Sequence, residues 1–344
     1  MSLSRPPSGE RAGVPGEAVE RCRRLLEPAL REAVAGLHPW SSRMAGYTLG
    51  WSDADGRPQA GDGGKGVRPA LALLAAEAVG ADAAAAVPGA VAVELVHAFS
   101  LAHDDIIDHD ERRRHRAALW KAYGVGPALL TGDALLALAV AQLATAPEAM
   151  RLLSAALTEL VHGQSTDMAF ENRPWHGPHA VTLDEYTRMA AGKTGSLLGA
   201  AAALGVTLGG APRELADLMW EMGRDLGVAF QITDDVLGIW GDPAVTGKPI
   251  HSDLRRDKKT LPVLCALAAD GTAARDLSAL LAAGLGDEDA IGAAARLVEE
   301  AGGRAHAQAL ADHHLAAALR ALDTHLPHAT ELRALCTSLT TRTH

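Results

Sequence analysis

One stretch constrains this chain more than any other: a long apolar run, Val91 to His103, that ends in Asp104-Asp105-Ile106-Ile107-Asp108. Arg112, Arg113 and Arg114 follow at once. A run of this length suits a buried helix. A helix places positions i and i+4 on one face, so Asp104 and Asp108 are expected to point the same way, with Asp105 beside them. Carboxylates this close repel one another unless a cation joins them. Oxygen-only donors with no nearby cysteine suit a hard cation such as Mg²⁺, which usually also takes phosphate oxygens. Taken alone, the cluster reads as the solvated acidic end of a buried helix.

A second cluster changes that balance. Asp234-Asp235 follows Phe230-Gln231-Ile232-Thr233, again after an apolar helical run, and a Gly/Pro-rich basic loop comes next. Two acidic helix ends, each followed by basic residues, look like two jaws of one metal–phosphate site. In this respect the chain resembles the trans-isoprenyl diphosphate synthases. The blocks that carry the resemblance are Gly63-Gly64-Lys65-Gly66-Val67-Arg68-Pro69, then Glu94 to Asp108, then Arg113-Arg114. Lys193-Thr194-Gly195, Phe230 to Asp235, Gly247-Lys248-Pro249 and Lys258-Lys259-Thr260-Leu261-Pro262 complete the series, in the family's order. Each block is weak by itself; the ordered set is specific.

The resemblance implies an all-α fold, a single large helical bundle around a deep central cavity, and usually a homodimer. It implies condensation of isopentenyl diphosphate with an allylic diphosphate. Asp104, Asp108 and Asp234 are then expected to hold Mg²⁺ ions, with Asp105 and Asp235 counted among the metal residues as supports. Arg113, Lys193, Thr194, Gln231, Lys248 and Lys258 are expected around the allylic diphosphate. Lys65, Arg68, His97 and Arg114 are expected around isopentenyl diphosphate, and Gln164 and Asp167 are expected to face the cavity. Phe99, five residues and about 7.5 Å of helix before Asp104, with the small Ser100 next to it, resembles the pattern of enzymes that stop at the twenty-carbon geranylgeranyl product. The fifteen-carbon farnesyl product is the neighbouring outcome.

Two departures stand out. The family's second motif commonly ends in Asp where this chain has Gly238, and Ala117 stands where Pro is common. Asp242 replaces the lost ligand only if the helix breaks near Gly241. Three alternatives remain open at this level: a class I terpene cyclase on the same fold, a weakly active subunit of a heteromer, and a purely structural helical protein.

Composition agrees with a helical enzyme. Hydrophobic residues make up 48% and aromatics only 3%, which favours closely packed helices over sheets. A net charge of −10 argues against a nucleic-acid partner. Cys22, Cys265 and Cys336 are far apart in sequence and suggest a reducing, cytoplasmic setting. No secretory signal is visible. The stretch nearest to a membrane span, Thr194 to Pro212, is rich in glycine and alanine and suits a helix buried in a bundle, so no span is expected. The chain has only six lysines, and all but Lys121 fall inside a suspected motif. Residues 1–18 are expected to form a disordered tail, and 19–344 one all-helical domain. Helices are expected at Val19–Leu37, Ala90–Asp108, Pro127–Ala144, Glu148–Phe170 and Pro212–Trp240, with Thr182 or Asp184 capping another. Residues 38–64 read as irregular, and no strand pattern is visible.

Overall fold

A computed structural model describes residues 15–59, 66–113, 116–243 and 249–340. The helices are α1 (Pro15–Ala35), α2 (Pro39–Thr48), α3 (Val67–Ala78), α4 (Val87–Ile107), α5 (Leu119–Tyr123) and α6 (Val125–Gln142). They continue with α7 (Pro147–Glu171), α8 (Leu183–Ala190), α9 (Ser196–Leu208), α10 (Arg213–Trp240) and α11 (Ser252–Arg255). The chain closes with α12 (Leu261–Ala268), α13 (Thr272–Ala283), α14 (Glu288–Glu300), α15 (Gly303–His325) and α16 (Thr330–Thr340). The all-α expectation holds.

Local expectations fare unevenly. Helix α1 begins at Pro15, ahead of the expected Val19, and residues 1–14 of the expected tail lie outside the described residues. Thr182 caps α8 through a reciprocal capping box with Glu185. Helix α2 falls where irregular chain was expected. Pro39 starts it and His38 Nδ1 accepts from the Trp40 amide, but its short polar sequence hides the period. A two-residue hairpin also forms, Arg112–Arg113 antiparallel to Arg116–Ala117. Helix α2 anchors it: Tyr47 Oη donates to the Ala117 carbonyl (2.6 Å), and Arg116 lies 4.1 Å over the Tyr47 ring.

Helix α10 runs through two hydrophobic clusters. Met219 and Leu226 join the larger one, with α3, α4, α7 and α9. Ile232, Val236 and Ile239 join the other, with α8 and α12–α15. Glycines bring its partners to backbone contact. A Cβ on Gly227 would lie 2.3 Å from the Gly195 Cα, and one on Gly223 would lie 2.5 Å from the Gly199 Cα. A π turn, Ala191–Gly195, joins α8 to α9, and a Cβ on Gly163 of α7 would come within 2.2 Å of the Lys193 amide nitrogen. Gly195, Gly199 and Gly205 therefore serve close packing, and the stretch is buried, as expected, from Thr194 to Val206. By length and apolarity two other segments could cross a membrane, Ala83–Ile107 and Val125–Gln142. The first lies mostly in the core, whereas α6 leaves most of its surface uncovered.

This packing gives a paired prediction. Gly227→Ala has no space to enter and forces α9 and α10 apart, at a cost of about 1–3 kcal/mol. Gly292, on α14, has only an ordinary 3.7 Å side-chain neighbour, so Gly292→Ala is neutral or stabilising by up to about 1 kcal/mol. Thermal melts of the two variants give opposite shifts if the α9–α10 approach is as tight as described.

Candidate active site

The π turn determines what points where. Widening one helical turn puts Lys193 and Thr194 at a site, as such bulges frequently do. Thr194 Oγ1 donates to Gln231 Oε1 at 2.6 Å, one helical turn beyond the Gly195–Gly227 approach. Lys193 Nζ donates to Asp167 Oδ2 at 2.5 Å, so Asp167 does face inward from α7. Burial opposes the Lys193 charge, but Asp167, with Asp104 and Asp108 behind it, more than offsets this and raises its pKa.

Both Asp pairs share one design, in which the second carboxylate turns inward and is clamped. Asp105 is buried; Arg113 donates Nε to Oδ1 at 2.8 Å and to Oδ2 at 3.0 Å, and Nη2 to Oδ1 at 2.6 Å. Burial raises the Asp105 pKa, and Arg113 holds it back. Asp235 is buried too. Tyr186 Oη donates to its Oδ2 at 2.5 Å, the Leu261 amide to the same oxygen at 2.9 Å, and Gln231 Nε2 to Oδ1 at 3.0 Å. Burial and the nearby Asp253 carboxylate still lift its pKa to about 7 against those bonds.

The oxygens of Asp105 and Asp235, the two expected supports of the metal residues, all accept from protein donors. Arg113 is paired with Asp105 in this structure. Asp104, Asp108 and Asp234 are the clusters' remaining carboxylates. Burial pushes Asp104 up to about 6, opposed by Lys193 and reinforced by Asp108. Lys258 Nζ bridges the Asp108 carboxylate at 3.2 Å and Glu171 Oε1 at 2.5 Å. Asp234 is exposed on α10.

The two jaws meet at Arg256. Its guanidinium bonds Asp110, just after the first cluster, and also feels the charge of Asp108 and Asp253. Arg68 Nη1 lies 3.2 Å from His97 Nε2. Arginine can only donate, so in this contact the ring nitrogen is the acceptor. His97, Glu94, Asp105, Arg113 and Tyr47 line one cavity behind the first cluster. Phe99 packs edge-on against His103, with centroids 4.9 Å apart. Lys65, Arg114 and Lys248 lie outside the described residues.

Several partners were not legible in the sequence. Glu171 is one turn beyond Asp167 on α7, an i,i+4 spacing that could have signalled it. Tyr186 stands two turns before Lys193. Asp253 sits in the single-turn helix α11 and Arg256 just beyond it, a segment too short to show periodicity. Lys259, by contrast, serves structure: its Nζ lies 3.6 Å over the Trp175 ring, and Trp175 Nε1 donates to Asp257.

The donors suit a hard cation. They are carboxylate oxygens, and the buried Oε1 of Gln164, one turn before Asp167, has no hydrogen-bond partner among the described residues. Within those residues no three acidic, histidine or cysteine side chains converge closely enough to hold an ion unaided. Water and phosphate oxygens would complete its shell, as is usual for Mg²⁺.

Known proteins resemble this chain over most of its length. Residues 58–298 match the family model described as Polyprenyl synthetase. A (2E,6E)-farnesyl diphosphate synthase of Mycobacterium tuberculosis is 47% identical over 300 residues, spanning 85% of this chain and 82% of that protein. A geranylgeranyl diphosphate synthase of the same species is 43% identical over 311 residues, spanning 88% and 87%. The crystal structure of a polyprenyl synthetase from Streptomyces coelicolor A3(2) superposes with a TM-score of 0.87 at 44% identity, covering 94% of this chain and 99% of that one. With its residues 58–298 matched by that family model and relatives at 43–47% identity over most of its length, the chain belongs to the polyprenyl synthetase family.

Proposed function

We propose that the chain is a short-chain trans-prenyltransferase that condenses isopentenyl diphosphate with an allylic diphosphate. The observation that carries this is the meeting of two acidic helix ends around Lys193 and Lys258, with the Arg68–His97 pair alongside. Asp104, Asp108 and Asp234 would hold Mg²⁺, with Asp105 and Asp235 as clamped supports. The bound ions supply positive charge to the diphosphate oxygens. Lys193 and Lys258 add fixed charge where the leaving diphosphate becomes more negative. When the allylic C–O bond breaks, its electron pair leaves with the diphosphate. The alkene of isopentenyl diphosphate then forms the new C–C bond, and loss of a proton restores a double bond. The released diphosphate takes that proton, so no protein base is required. Apolar walls keep water from the cation. The cyclase alternative gains no support, since the relatives compared are named as chain-building synthases.

Steady-state kinetics with Mg²⁺ and both diphosphates test this. Excess EDTA should abolish turnover. Asp104→Ala should lower kcat by roughly 10²–10³-fold, the usual loss for one group that stabilises developing charge. Arg68→Ala should raise KM for isopentenyl diphosphate more than for the allylic partner. Full turnover in EDTA, or cyclic hydrocarbon formed without isopentenyl diphosphate, refutes the assignment.

The product is proposed to be geranylgeranyl diphosphate, with Phe99 setting the length. The farnesyl alternative is favoured by the 47% identity to a farnesyl diphosphate synthase. Phe99→Ala should open the space beside His103 and lengthen the products. Chromatography of the dephosphorylated alcohols decides: unchanged lengths in a folded, active variant remove Phe99 from this role.

We also read the protein as a cytoplasmic homodimer without a membrane span. Helix α6 leaves Val125, Leu129, Leu130 and Val140 exposed, a stripe suited to a second copy. Cys22, Cys265 and Cys336 are buried free thiols, with burial pushing them up to about 11, 12 and 12, as suits a reducing compartment. Sedimentation should give twice the chain mass; a monomer at micromolar concentration contradicts the dimer.

A further inference from the structure

The two acidic clusters differ at one position. The first reads Asp-Asp-Ile-Ile-Asp and the second Asp-Asp-Val-Leu-Gly, so Gly238 stands where the first has Asp108. In the first cluster that last residue is the one that meets Lys258. The second would therefore be one carboxylate short.

The space at Gly238 is nevertheless filled by a carboxylate. A Cβ built on Gly238 would lie 1.9 Å from Asp253 Oδ2, 2.4 Å from its Cγ and 2.9 Å from Oδ1. An aspartate's own Cγ sits about 1.5 Å from its Cβ, a single C–C bond length. The Asp253 carboxylate thus stands almost where a side chain from position 238 would put one.

The loop is fastened to keep it there. His251 donates its amide to the Ile239 carbonyl at 3.1 Å, and Ser252 Oγ lies 3.2 Å from both the Gly238 carbonyl and Asp253 Oδ1. The Lys258 amide donates to the Asp253 carbonyl at 3.0 Å, tying the residue to the lysine that meets Asp108. Asp242, the replacement considered from sequence, is exposed beyond the helix end at Gly241. Glycine at 238 is then a requirement: any side chain there evicts Asp253.

We propose that Asp253 supplies the third carboxylate of the second acidic cluster, delivered from the loop into the space that Gly238 leaves open, and that with Asp234 it holds the divalent cation and diphosphate on that jaw. This rests on the prenyltransferase assignment and adds a ligand to it.

The test measures metal directly. Wild type, Asp253→Asn, Asp253→Ala, Gly238→Asp and the double variant Gly238→Asp/Asp253→Ala are titrated with Mn²⁺ and inorganic diphosphate, and bound Mn²⁺ is followed by electron paramagnetic resonance. Asp253→Asn keeps the shape and loses only the charge, and should bind the ion pair roughly 10-fold or more weakly. Gly238→Asp alone should also bind weakly, because two side chains compete for one space. The double variant should regain most of the wild-type affinity, since the carboxylate returns from the helix. Wild-type binding by Asp253→Asn, or a double variant no better than Asp253→Ala, overturns the proposal. If instead the wild type binds Mn²⁺ and diphosphate but turns over no isopentenyl diphosphate, the prenyltransferase assignment is what fails.

Discussion

The site depends on how closely three backbones approach one another. Gly163, Gly195 and Gly227 remove the side chains that would hold α7, the π turn and α10 apart. Without that approach Thr194 could not reach Gln231, and Lys193 could not reach Asp167. Dispersion between packed backbones is weak per atom pair and large in sum. Here it also fixes position, since a helix pair without side chains between them has little freedom to slide. Precision at the candidate site is thus set several residues away, by the absence of atoms.

The second constraint is electrostatic. Four acidic groups and two lysines share a small, half-buried volume, and each lysine already neutralises a carboxylate. Burying such charges is costly unless they are paired. Asp105 and Asp235 show the solution: each is surrounded by donors and serves to hold its neighbour. Clamping the inner carboxylate leaves the outer one, Asp104 or Asp234, with its backbone position already determined.

Much of this was legible in the sequence. The helical class followed from apolar runs and the scarcity of aromatics, and the two jaws followed from the Asp pairs. Burial of most of Thr194 to Pro212, as far as Val206, followed from its glycines. What escaped is instructive. Helix α2 carries too few apolar residues for its period to show. The roles of Asp105 and Asp235 depend on Arg113 and Tyr186, one held by a two-residue hairpin and the other on a separate helix. The place of Lys259, over the Trp175 ring, could not be read from its motif. Asp253 was invisible because its place is defined by contact with Gly238, from the far side of a loop.

The clamps also differ in reach along the chain. Arg113 and Asp105 are 8 residues apart, whereas Tyr186 and Asp235 are 49 apart. Closing a short loop costs less entropy than closing a long one. The Arg113–Asp105 clamp can therefore close within one short stretch of chain, while the Tyr186–Asp235 clamp closes only once distant segments have docked. One clamp is a local contact and the other is a report on the wider fold. A partly opened chain would keep the first clamp longer than the second.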